Sequence, residues 1–210
     1  METYNKTSKY PVLNEEFLKS GYIVAVKRLG KSFFHNQIEK IQSKKGYSRE
    51  ASKYVHIAVI GKNQYIVDVS PPKTKIVSLF EKYPDRYIKI LKYKGYEEDE
   101  GDIKGHNVAF WAASTCNISY DWIGVIAFKF SWLGKIFRKL QEKWLFCSEC
   151  AIWALQKEFP AIGAIFDFVS PLIQKSKKKF FGDINISPEK CMPAYFLDNE
   201  DFSIIWEGEV

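Results

Sequence analysis

The sequence predicts an α+β fold, and three observations carry the expectation. Apolar, β-branched runs cluster in the first half of the chain. Stretches with apolar residues at helical spacing dominate the second half, and no internal repeat is visible. Its 210 residues are 46% hydrophobic and 16% aromatic, which suits one domain over 1–210 whose core needs no metal or disulfide staple.

The elements follow in order. Residues 13–20 read as one or two helical turns, and 21–28 (GYIVAVKR) as a strand. Residues 33–42 have helical spacing, with Phe34, Ile38 and Ile41 on one side. Two strand-like runs, 54–60 (YVHIAVI) and 65–70 (YIVDVS), flank GKNQ and predict a hairpin. A short helix is expected over 76–83, an alternating strand over 86–93 and an acidic turn over 97–102. Helices are predicted over 108–114, 131–144 and 147–159, the last stopped by Pro160. A Pro-punctuated segment, 188–197, leads into an acidic tail, 197–210, holding Asp198, Glu200, Asp201, Glu207 and Glu209 and no base.

Net charge is +6, from 31 basic and 25 acidic residues, and the acidic tail makes the rest of the chain more basic still. The lysine clusters at 40–45 and 175–179 carry no stacking or groove-reading motif, so they read as solvated faces and no nucleic-acid partner is expected. The N-terminus lacks an apolar signal region, and the apolar stretches 122–134 and 160–173 are interrupted by Lys129 and Asp167. A cytoplasmic protein is the expectation, with Cys116, Cys147, Cys150 and Cys191 as thiols.

Two of the scarce reactive residues stand out. His35 falls on a polar helix edge and His106 in a Gly-flanked loop, but His56 lies inside an apolar strand, where a buried ring needs a partner. A three-residue loop at 61–63 would set Ile60 against Gln64 and His56 directly opposite Asp68, on one face of the hairpin. On the hairpin alone the plainer reading is a structural pair; the alternative is an oriented base. Cys147 begins a helix, where the macrodipole and free N–H groups favour thiolate, while Cys150 is followed by the apolar AIWAL and packs as a small hydrophobe.

Three chemistries compete for Cys147. Zinc would need a second paired knuckle, and Cys116 and Cys191 stand singly. A Cys147/Cys150 thiol–disulfide oxidoreductase would want a strand just before the motif, where a long helix is predicted instead. The third chemistry makes Cys147 a nucleophile with His56 as base and Asp68 as its orienting residue.

Six short motifs occur in order. They are Gly21-Tyr22-Ile23-Val24, Val55-His56-Ile57-Ala58-Val59, Ile66-Val67-Asp68, Tyr120-Asp121-Trp122, Cys147-Ser148-Glu149 and Ser187-Pro188-Glu189. Together, over residues 16–197, they resemble the circularly permuted papain-like cysteine hydrolases of the NlpC-like superfamily, in its YiiX-like branch. The first motif lacks the acidic residue usual there, and relatives often carry Glu or His where Asp68 stands.

The resemblance implies a small antiparallel sheet or half-barrel packed against helices, with the Cys-bearing helix C-terminal to the sheet. It also implies a cofactor-free hydrolase of amide or ester bonds in a peptide or acyl/lipid substrate. Cys147 would be its nucleophile, His56 its base and then acid, and Asp68 the third member. Tyr120 and Asp121 would brace the fold, and Glu149 would support the helix start. The apolar segments 122–130 and 161–173 beside the lysines at 175–179 read first as core and solvated charge, with peripheral membrane contact as the alternative. A non-catalytic binding protein on the same fold is the rival from another class.

Overall fold

A computed structural model describes residues 12–30, 32–96, 101–120, 144–159 and 191–210. Of the helix expected over 131–144, residues 131–143 lie outside them and Trp144 stands in a strand, not a helix. The apolar segments 122–134 and 160–173, the lysines at 175–179 and the motif residues Asp121, Trp122 and Ser187–Glu189 also lie outside them.

The described residues form an α+β structure around one six-stranded sheet. In chain order the strands are β1 (Ile23–Lys27), β2 (Tyr54–Ile60), β3 (Tyr65–Asp68), β4 (Lys75–Ser78) and β5 (Tyr87–Tyr93). Two short strands, β6 (Ser119–Tyr120) and β7 (Trp144–Leu145), follow, and β8 (Phe202–Glu209) ends the chain. The sheet order is β4-β3-β2-β1-β5-β8, antiparallel throughout. The helices are α1 (Phe33–Lys44), α2 (Leu79–Lys82), α3 (Gly101–Ala113), α4 (Cys147–Glu158) and α5 (Tyr195–Asp198).

β1 and β2 are central because nearly every residue in them is apolar and buried, as strands covered on both faces must be. α4 packs on β2 and on α3, with Trp111 and Trp153 edge-to-face between the helices. Gly21, at a φ of 81°, leads into β1 against α3; a Cβ there would lie 2.6 Å from the Gly105 carbonyl oxygen, so this approach requires glycine.

Three expectations are corrected, over 76–83, at the start of the helix expected from 108 and at His106. Residues 76–83 are not a helix. The β-branched Ile76 and Val77 extend the sheet as β4 against β3, and only one helical turn, α2, follows. The helix expected over 108–114 begins a full two turns earlier, so His106 lies on α3 rather than in a loop. Residues 13–20 supply a single 3₁₀ turn, Glu15–Phe17.

The acidic tail is an edge strand. β8 pairs with β5 along its length, buries Phe202 and Trp206, and sets Glu207 3.2 Å from Lys89. The Cys-bearing helix therefore follows five strands of the sheet and precedes the sixth.

Candidate active site

The hairpin that carries His56 and Asp68 turns one residue later than the sequence suggested. Its loop is Lys62-Asn63-Gln64, closed by the Gly61 N–H on the Tyr65 carbonyl at 2.8 Å, with Asn63 at a φ of 56°. Asp68 therefore pairs with Ala58 rather than with His56. A shift of two in register keeps the parity of both residues, so they still share a face and meet diagonally. His56 Nε2 lies 2.7 Å from Asp68 Oδ1.

A β-bulge helps to aim the ring. Val26 pairs with His56 and Lys27 with Tyr54, which leaves Val55 as the extra residue beside His56. Gln42 of α1, fully buried, anchors this end of β2: its Nε2 donates to the Ser52 and Tyr54 carbonyls at 3.0 and 3.1 Å. Its Oε1 accepts from the Ala194 N–H at 2.7 Å, tying the 191–198 segment to the same strand end.

Cys147 reaches the site from the other side. The parallel pairing of Tyr120 with Leu145 leads the chain into Phe146, the N-cap of α4, so Cys147 is the first helical residue. Glu149 accepts from the Phe146 N–H at 3.2 Å, which is the bracing of the helix start expected of it. Ser148 donates to the Cys191 carbonyl at 2.8 Å and fixes the first turn against the 191–198 segment.

The Cys147 sulfur stands near enough to the His56 ring for its charge to act on it. With Nε2 engaged by Asp68, Nδ1 is the nitrogen left for the thiol. All three residues singled out in the sequence thus converge, in the order Asp68–His56–Cys147.

The electrostatics favour a charged ring. Burial works to lower the His56 pKa, but the Cys147 sulfur and the Asp68 carboxylate outweigh it and raise it to about 10. Burial pushes Asp68 up, yet His56, Ser70 and Tyr83 together hold its carboxyl well below the usual range. Its side chain is 2% exposed and is enclosed by donors. Tyr83 Oη donates to Oδ1 at 2.5 Å, Ser70 donates to Oδ2, and Lys82 Nζ lies 3.2 Å from Oδ2.

The sequence reading missed these three supports. Ser70 was within reach of it, being two residues beyond Asp68 and so on the same face. Tyr83 and Lys82 were hidden inside the helix wrongly expected over 76–83.

Cys150 and Cys191 are withdrawn, whereas Cys116 is half-buried. Cys150 is 1% exposed, rests 3.5 Å from Thr115 Oγ1, and burial pushes its pKa up to about 12. Burial likewise drives the Cys191 thiol well above the ordinary range. All four cysteines are free. Among the described residues no three His, Cys, Asp or Glu side chains converge as metal ligands would, and no helix is long and apolar enough to cross a membrane.

His56 lines a cavity of about 320 Å³ between α1, the β2–β3 hairpin and α2. A smaller pocket of about 20 Å³ lies against Cys147 and shares Ile38, Val55 and Tyr120 with it. No protein-family model matches the chain, and no curated protein matches it either.

Proposed function

We propose that the protein is a cysteine hydrolase that cleaves an amide or ester bond through an acyl-enzyme on Cys147. One observation carries this reading: His56, bonded to Asp68 and acted on by the Cys147 sulfur, lines a cavity of about 320 Å³.

The chemistry follows from the groups present. His56 takes the proton of the Cys147 thiol, and the sulfur attacks the substrate carbonyl carbon. The negative charge that develops on oxygen is met by the free N–H groups in the first turn of α4. Protonated His56 then donates to the leaving amine or alcohol, and the C–N or C–O bond breaks. Water, giving its proton to His56, attacks the thioester and releases the acid, which regenerates the Cys147–His56 pair. Asp68 fixes the ring orientation and stabilises its cation, without taking the proton itself.

Two rival readings fare worse. A Cys147/Cys150 redox pair requires an accessible Cys150, which is buried. A structural His56–Asp68 pair would need no thiol beside the ring. The order His56, Asp68, Cys147 also fits the permuted papain-like, YiiX-like family that the motifs resemble, and that membership is part of the proposal.

The test is labelling by an electrophilic thiol probe from pH 5 to 9, on wild type, Cys147→Ala and His56→Ala. Labelling at Cys147, faster than a free thiol and slowed by His56→Ala, is the expected result. A rate equal to that of a free thiol, or one indifferent to His56, removes the proposal.

A further inference from the structure

The cavity beside His56 has a pronounced charge asymmetry. Among its described lining residues are His35, His56, Lys82 and Arg86, together with Ser32 and Ser70, and no Asp or Glu. Asp68 stands behind His56, outside the lining, with its oxygens already engaged by four side chains. Lys82 is drawn to Asp68 and to Ser70, the latter at 3.0 Å.

Arg86 has no such counter-charge. Its Nη2 donates to the Lys27 carbonyl at 2.8 Å, Nε is buried with no partner, and no carboxylate pairs with it among the described residues. His35 Nδ1 is also buried and unpartnered in the same wall. Burial, then the charges of Arg86, His56 and Arg28, lower the His35 pKa, so three cations bear on that ring. Buried polar groups without partners are costly unless something supplies them.

We propose that this cavity is a substrate subsite for an anionic group, a carboxylate or a phosphate, held by Arg86 with Lys82 and His35. The scissile carbonyl of the same molecule then lies at Cys147, on the far side of His56. The placement of that carbonyl rests on the hydrolase reading, whereas the anion site stands on the cavity alone. A guanidinium fork with free N–H groups matches the paired oxygens of either anion.

The experiment has two arms. In the first, free glutarate and glycerol phosphate are titrated into the full-length Cys147→Ala protein by calorimetry. At least one should bind, and Arg86→Gln in that background should weaken it by about tenfold or more, as loss of a charge-assisted pair does. Whichever anion binds more tightly separates the carboxylate source from the phosphate source.

In the second arm, wild type is given p-nitrophenyl hydrogen glutarate and p-nitrophenyl pentanoate, which differ in the terminal charge. The anionic ester should have a kcat/KM about tenfold or more above the neutral one, and Arg86→Gln should bring the ratio close to one. Arg86→Lys keeps the charge and should retain part of the preference. If Arg86→Gln does not fold, the wild-type ratio decides alone.

No binding of either anion together with an ester ratio near one overturns the anion site, and leaves the hydrolase reading standing if Cys147 still labels. Anion binding that depends on Arg86, in a protein whose Cys147 neither labels nor turns over ester, keeps the site and removes the hydrolase.

Discussion

Replacing Asp68 by Asn tests how the site holds its charge. The side chain keeps its volume and can still accept from Tyr83, but it no longer offers a negative charge to His56 or Lys82. Burial opposes the His56 cation, and Cys147 and Asp68 together raise its pKa from the ordinary 6.5 to about 10. At pH 7 that difference corresponds to about 4 kcal/mol favouring the folded, charged form.

Asp68→Asn removes one of these two partners and should lower the His56 pKa by about one to three units, the range a close opposite charge commands. The high-pH limb of thiol reactivity should move down with it. The measurements are the titration of the His56 ring by NMR and the pH profile of probe labelling. Thermal melts across pH add a second reading.

A His pKa raised by folding contributes stability fully below pH 6.5 and loses it as pH rises through about 10. Asp68 has the opposite sign: its contribution is full above its ordinary 3.8 and is lost as pH falls toward its depressed folded value. The variant should flatten both flanks and melt about 4–8 °C lower at pH 7. If the His56 titration and the high-pH limb stay in place, Asp68 does not stabilise the imidazolium and the charge argument fails.

Three further outcomes are expected. Cys150→Ala should leave Cys147 labelling intact and cost about 1–2 kcal/mol as a small cavity; loss of labelling would return Cys150 to the chemistry. Gln42→Leu removes partners from the Ser52, Tyr54 and Ala194 backbone groups and should cost about 3 kcal/mol in a denaturant melt. Tyr83→Phe deletes a neutral donor to a buried carboxylate, so it should cost about 2 kcal/mol without lowering the high-pH limb of labelling. A fall in that limb matching Asp68→Asn would make Tyr83 part of the charge system rather than a brace.

β2 and β3 were legible because their β-branched runs are bounded by Gly and Pro, and the shared face of His56 and Asp68 survived an error in the loop. A three-residue connection moved by one position shifts pairing by two, and parity is indifferent to that. β4 was misread because Ile76, Leu79, Phe80 and Tyr83 mimic helical spacing, while pairing with β3 decides the structure. β8 carries its alternation in Phe202, Trp206 and Gly208, but five acids made the segment look like a solvated tail. The lining of the cavity was not legible, since His35 and His56 come beside Lys82 and Arg86 only through the topology.

β8 also explains how that cavity keeps its charge. Val26 pairs with both His56 and Ile88, whereas Ala25 pairs with Lys89, so Lys89 faces away from His56 by the alternation of β1 and β5. Glu207 meets Lys89 on that opposite face. Meanwhile the end of β8 grips the chain around Arg86: the Asp85 N–H donates to the Val210 carbonyl at 2.6 Å, and the Val210 N–H to the Arg86 carbonyl at 3.1 Å. The acidic segment thus positions Arg86 through its backbone, and its Glu207 carboxylate is directed to the other side of the sheet. Removing the last strand would therefore disturb the cationic cavity by releasing the Arg86 backbone, although the segment removed is acidic and contributes no side chain to the cavity.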